Sequence, residues 1–480
     1  MSANTPTMSS QRAAVVGETA PEQEEELVAY IHDLLEDDPM ESLDLYRPGY
    51  LHPVVPGDII RPSPSSCPNR PVDAPTGYRI LHKLGHGGEG TVWIADALDV
   101  SERLVSLKIY SAHCSNAAER EARALRASMA SPDDQWSEYV LPLLDSFTIR
   151  GPNGTHHVHI TNVILPMMVR LSHFSADTKK DLVKGLARGL AHLHRSGFIH
   201  GDFHMGNIGC TLPPPFSSMT VYKVVQELRD YNVVMVLPRD PAHKGASVPT
   251  YLLGPCELYR CYVIYSKRVA NWGPEARIFD LGNARAIGDG EDVAQDVRWA
   301  CPPPEAAFAH YGLGGREILP TTATDVWCLG ATITRMFSEV NLRTEIGILY
   351  MVDQARLDGV LPPAWRAFWE TDPELCTRIG FVTPMQADKD WSKYRAQFMK
   401  QNPQANGANV DRLILLLRRM LALDSASRPS MEEVLADPWF ADARSATADG
   451  DDAATPNIAL PLSCEHRATT TSLCPSKLAR

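Results

Sequence analysis

Residues 200–207 read HGDFHMGN, directly after an amphipathic helix pattern and well ahead of Asp280-Leu281-Gly282. In the preceding stretch DTKKDLVKGLARGLAHLHRSG (177–197), Leu182, Leu186, Leu190 and Leu193 fall on one helical face, and the short apolar run Phe198–Ile199 leads into the loop. An aspartate placed there, five residues before an asparagine, has a definite chemical use. Asp202 would accept or orient the proton of an attacking hydroxyl, and Asn207 would hold a hard cation through its amide oxygen. His200 reads as a packed histidine. Asp280, between the apolar strand ARIF and a glycine turn, suits a second cation ligand bridging phosphates; the bland alternative is an ordinary turn aspartate.

Upstream, YRILHKLGHGGEGTVWIADAL gives two strand-like runs around a glycine-rich turn, RLVSLKIYSA a third, and residues 116–128 a helix. Gly85, Gly87 and Gly90 would let backbone N–H groups approach phosphate oxygens. A dinucleotide site needs a helix straight after its glycines, whereas TVWIADAL alternates like a strand. Lys108, inside a strand, needs an anionic partner, and Glu121 on the next helix would supply one while the ammonium holds phosphates. VLPLLDSFTI and HVHITNVILPM extend the strands. The remainder is mainly helical to about Phe440.

Taken in this order, the glycine turn, strand lysine, helix glutamate, loop aspartate and asparagine, and DLG aspartate resemble those of the eukaryotic protein kinases over roughly Tyr46 to Phe440. Pro304-Glu305 in CPPPEAAF resembles the end of an activation segment. Asp325 in TDVWCLGA resembles the aspartate that braces the catalytic loop, and Arg428 the arginine that pairs with Glu305. YRPGYLHPVVPGD (46–58), TVWIA, DLGNA and a long insertion before DLG resemble in particular the SR-protein kinases and their fungal relatives.

The resemblance implies an α+β, two-lobed kinase-like fold: a β-rich lobe over 78–168 and a helical lobe over 169–440, with an insertion at about 211–275. Ahead of these stand an N-terminal segment (1–45) and a lead-in with a Pro-rich linker (46–77), and a tail follows (441–480). It also implies ATP and Mg²⁺, with Asp202, Lys108, Glu121 and His204 in catalysis and Asn207 and Asp280 on the metal. The nucleotide would lie against Leu84, Gly85, His86, Gly87, Gly88, Glu89, Gly90, Val92, Ser106 and Lys108, with Ile164, Leu165 and Met167 in the hinge. A serine or threonine of a protein would be the acceptor, with Arg/Ser-rich segments as the candidate class.

Three positions depart from the family pattern. Gly201 replaces an arginine that usually pairs with a phosphate on the activation segment, and residues 283–302 contain no Ser, Thr or Tyr. Activity without activation-loop phosphorylation is therefore expected, with Asp289, Glu291, Asp292 or Asp296 supplying fixed charge near Arg285 or Arg298. His204 replaces a lysine, and Ser106 a small alanine. Two other readings stay open. One is a pseudokinase scaffold that binds without transfer. The other is a small-molecule phosphotransferase of the aminoglycoside or choline kinase type, whose loop HGDFHMGN also resembles; PPE, DVWCLG and the RPS-containing helices speak against it.

A net charge of −12 argues against a general nucleic-acid binder. Ten scattered cysteines without a CxxC pair read as reduced thiols, which favours the cytoplasm or nucleus. No secretory signal pattern opens the chain, and no apolar run approaches the roughly 20 residues of a membrane helix; a monomer is expected. Gln23–Asp38 has helical spacing, Arg61–Pro75 reads as a linker, and the termini read as disordered. Within the insertion, YNVVMVLP and YRCYVIYS look β-like.

Overall fold

The alternating runs from Tyr78 to Thr161 pair into one antiparallel sheet that a short edge strand from the lead-in extends. The strands are β1 (Ile59–Ile60), β2 (Tyr78–Gly87), β3 (Gly90–Ala97), β4 (Leu104–Tyr110), β5 (Asp145–Gly151) and β6 (Gly154–Thr161), in the order β1-β2-β3-β4-β6-β5. Gly88 and Glu89 close β2 on β3. Gly90 is required there because a Cβ would lie 2.1 Å from the Ile109 carbonyl oxygen of β4. Leu81 and Ile94 join Ala122 and Leu125 of α1 (Ser115–Met129) in the main core. The opposite face buries Tyr78, Ile80, Trp93, Leu107, Phe147 and Ile160. Antiparallel sheets commonly leave such a face to water; here Val54 and Ile60 of the lead-in and Leu253 of the insertion join it.

The helical lobe begins with β7 (Ile164–Pro166) and α2 (Ala176–Arg195). Ser175 caps α2 by accepting from the Thr178 N–H, and Leu182, Leu186, Leu190 and Leu193 are fully buried. Burial of that kind contributes about 2 kcal/mol per leucine. Four short strands then place the functional loops: β8 (Phe198–Ile199), β9 (Ile208–Thr211), β10 (Ala276–Ile278) and β11 (Arg285–Ala286). β9 lies between β7 and β10, and β8 pairs with β11. The loops β8–β9 and β10–β11 are thus held side by side. α3 (Pro304–Gly312) and α4 (Thr322–Ser338) follow, then helices to Leu435 and a final turn at Pro438–Phe440. This is the two-lobed α+β arrangement that the resemblance implies.

The structure, a computed structural model, describes residues 30–31, 39–63, 74–100, 103–130, 134–167, 174–217, 219–228, 232–240, 245–269, 272–288, 302–316, 318–338, 342 and 347–441. Residues 1–440 form one compact unit and 441–480 a second, which lies outside the described residues beyond Ala441. Two local expectations are corrected. Tyr30–Ile31, inside the expected N-terminal helix, is a strand paired with Leu237–Pro238 of the insertion; the rest of that pattern lies outside the described residues. YRCYVIYS is helical within Leu258–Ser266, because Leu258, Cys261 and Tyr265 reach the core at helical spacing, which overrides β propensity. Val233–Met235 and Leu237–Pro238 are strands, as expected. Among the described residues no helix is long and apolar enough to cross a membrane.

Candidate active site

Asp325, fully buried in the first turn of α4, braces the loop after β8. It accepts from His200 N (2.8 Å), Gly201 N (3.1 Å) and His194 Nε2 (2.9 Å). Gly201 has φ +80°, and a Cβ there would lie 2.7 Å from the Asn283 carbonyl oxygen, so the loop is built around the missing side chain. His200 is fully buried edge-on to Phe203, a packing role. Asp202 stays partly exposed. Asn207 Nδ2 donates to its backbone oxygen (2.9 Å), Asn283 Nδ2 reaches its Oδ2 at 3.4 Å, and His204 Nε2 stands 3.6 Å from that same oxygen. His204 Nδ1 accepts from the Gly206 N–H (2.9 Å), which leaves the proton of a neutral ring on Nε2, facing Asp202. Gly206 makes room, since a Cβ would lie 2.6 Å from the His204 ring.

Lys108 gathers three carboxylates: Asp280 at 2.8 Å, Glu89 at 3.1 Å and Glu121 at 3.3 Å. Burial alone would lower its pKa, but Asp280, Glu121 and Glu89 together hold the ammonium well above the usual lysine range. Burial would likewise raise Glu121; Lys108 and His159 outweigh it and bring that carboxyl to about 2. Glu89 goes the other way, because burial is only partly offset by Lys108. Asp280 has a left-handed backbone, φ +60°, which costs a non-glycine residue about 1–2 kcal/mol; in that conformation its carboxylate meets Lys108. Sequence spacing did not reveal His159. It sits opposite Lys108 on β6, 3.7 Å from Glu121, and only the strand register puts it on the lysine's face. Arg120 was also missed. It donates from Nε to Gly282 O (2.8 Å), tying α1 to the DLG turn.

The expected phosphate-binding turn is open: a Cβ on Gly85, Gly87 or Gly88 would meet nothing within 4 Å. His86 is exposed there, while Leu84 and Val92 are half-buried and Ser106 is buried beside them. The expected hinge, Ile164, Leu165 and Met167, lies where the chain passes from one sheet to the next. β6 ends at Thr161, and Ile164–Pro166 already pairs with β9 of the helical lobe, so the chain crosses at Asn162–Val163. The side chains of Leu165 and Met167 are buried in the core, whereas Ile164 is half-buried. An amide oxygen on Asn207 and a carboxylate on Asp280 would be oxygen donors of the kind Mg²⁺ prefers. Because Asn207 spends its Nδ2 on the Asp202 backbone oxygen, its amide oxygen would be the end offered to a cation.

Glu305, in the first turn of α3, forms a two-pronged pair with Arg428: Nη1 to Oε1 at 2.9 Å and Nη2 to Oε2 at 2.6 Å. Asp289, Glu291, Asp292, Asp296 and Arg298 lie outside the described residues.

No protein-family model matches the chain. It is similar to a serine/threonine protein kinase of Aspergillus fumigatus, 23% identical over 422 residues, covering 83% of this chain and 90% of that protein. It is also similar to the serine/threonine-protein kinase SKY1 of Saccharomyces cerevisiae, 32% identical over 181 residues, which is 35% of this chain and 22% of the yeast protein. Among solved structures, a crystallised kinase domain matches with a TM-score of 0.47 at 13% identity, over 77% of this chain and 97% of that one.

Proposed function

We propose that this chain, a relative of the serine/threonine protein kinases, transfers the γ-phosphate of ATP to a serine or threonine hydroxyl of a protein. The carrying observation is that Lys108, Glu121 and Asp280 converge within 3.3 Å while Asp202 stays partly exposed on the neighbouring loop. Lys108, oriented by Glu121, would hold the nucleotide phosphates. Asn207 and Asp280 would hold Mg²⁺, which neutralises phosphate charge when bound. Asp202 would align the acceptor hydroxyl and take its proton, with Asn283 and His204 fixing the carboxylate. Placement and fixed charge would do most of the work, as in phosphoryl transfer generally.

An Arg/Ser-rich acceptor segment is the finer proposal, supported by the similarity to SKY1 over the shared stretch and by the chain's acidic balance. We further infer activity without activation-loop phosphorylation. Gly201 leaves no side chain to receive a phosphate, residues 283–302 offer no hydroxyl, and the Asp325 and Arg428 bonds brace the catalytic loop and Glu305 without one.

The test is transfer of labelled phosphate, with Mg²⁺, to an Arg-Ser repeat peptide, a generic basic protein, choline and an aminoglycoside. Label on the peptide, retained after phosphatase treatment of the enzyme and lost in Asp202→Ala, is the expected result. Label only on a small acceptor would overturn the protein-kinase reading, and nucleotide binding without any transfer would leave a scaffold.

A further inference from the structure

We propose that Glu89, at the tip of the glycine-rich hairpin, is a built-in competitor of the nucleotide phosphates: it latches that turn onto Lys108 and must leave for ATP to bind. The inference rests on the kinase reading above and assigns a role to one residue of that site.

An ammonium has three N–H donors, and Lys108 has three carboxylates within 3.3 Å. The group expected to grip a phosphate therefore has no donor to spare. One carboxylate must withdraw, and the three are held differently. Glu121 projects from a long helix, is nearly buried and has His159 behind it. Asp280 is set by the turn after β10, beside Gly282, whose oxygen Arg120 grips. Glu89 sits in a two-residue hairpin loop, and a hairpin tip is the part of a sheet that opens most easily.

The fit of the latch is specific. The Glu89 carboxylate lies so close over Gly282 that a Cβ there would stand 2.7 Å from Oε1 and 2.9 Å from Oε2. Its backbone oxygen accepts from Ser111 N at 2.7 Å, next to the end of β4. Its side chain thus reaches from the hairpin down to the DLG turn, across the gap where phosphates would lie between Lys108 and the metal ligands. A fixed negative charge there opposes the phosphates twice, by repulsion and by occupying the lysine.

The experiment measures equilibrium binding of Mg·ATP and Mg·ADP to the full chain, for wild type, Glu89→Gln, Glu89→Ala and Lys108→Ala. Releasing one charge-assisted bond predicts about tenfold tighter Mg·ATP binding for Glu89→Ala. Glu89→Gln is expected between the two, because the amide keeps the reach without the charge. Without nucleotide, amide exchange at residues 86–90 should speed up in both Glu89→Ala and Lys108→Ala, and added nucleotide should change it little in Lys108→Ala. Unchanged or weaker binding by both Glu89 variants, with wild type binding normally, overturns the latch and leaves the kinase reading intact. Failure of every form to bind nucleotide removes the kinase reading and the latch with it.

Discussion

His204 stands where the resemblance expects a lysine, and its surroundings show how an imidazole can serve there. The ring is held by the Gly206 N–H at one nitrogen and turns the other toward Asp202 Oδ2 at 3.6 Å. It is a donor of fixed direction, shorter than a lysine and without a permanent charge. Replacing it with alanine removes that donor and the bond that shapes the loop, so kcat should fall about tenfold to a hundredfold, at or below the low end for a lost electrostatic donor. The KM for ATP should move little. His204→Lys restores a full charge and should raise kcat above wild type at neutral pH. Steady-state kinetics of the two variants check this; equal rates for His204→Lys, His204→Ala and wild type would remove His204 from the reaction.

Between elements, Arg428 is the tie that fixes α3 against α4. Its guanidinium has no exposed surface and grips Glu305 with both prongs, Ala323 O of α4 at 2.9 Å and Ala422 O at 2.9 Å. Removing it strands a carboxylate and several carbonyls, so Arg428→Ala should cost about 3–5 kcal/mol. Arg428→Lys should recover little, because an ammonium cannot span two carboxylate oxygens. Urea titration measures both, and a loss below 1 kcal/mol for the alanine variant would contradict the bonding. This pair was anticipated through the family resemblance, and the Lys108–Glu121 pair from a strand lysine that needs an anionic partner on the next helix. What escaped was pairing between distant segments. Ile164–Pro166 looks as strand-like as the residues before it, and its pairing with β9 could not be read from its own residues. Tyr30–Ile31 pairs with a strand some 200 positions away, and Leu258–Ser266 takes its helix from the core it meets. Local propensity contains none of that information.

At the scale of the molecule, the insertion does more than separate the catalytic loop from DLG. Its residues Val236 and Leu252 pack with Tyr30, Met40, Leu43, Tyr46 and Leu51, and Asn153, between β5 and β6, donates to Leu51 O (2.6 Å) and Ser247 O (2.8 Å). Glu41 of the N-terminal segment also pairs with Lys83, fully buried on β2. This covering shields histidines. Burial pushes His52, His82 and His156 each down to about 4, with His156 adding to the effect on His52, whose ring is 5.0 Å away. The unfolded chain takes up these protons near pH 6.5, while the folded small lobe refuses them until about pH 4. The stabilisation is therefore complete above pH 6.5 and is lost as the pH falls toward 4, by at most roughly 1.4 kcal/mol per pH unit for each histidine. Three such groups can consume a net stability of about 5–15 kcal/mol within a few pH units. Unfolding midpoints measured from pH 7.5 to 4.5 should fall steeply below 6.5, with faster amide exchange in β2 and β6 preceding that in α2. His156→Gln, which keeps a donor for the Tyr110 carbonyl that Nδ1 now meets at 2.9 Å, should flatten the slope by about a third. A midpoint that stays level between pH 6.5 and 4.5 would mean that the covered face admits protons, and that the lead-in and insertion do not seal it.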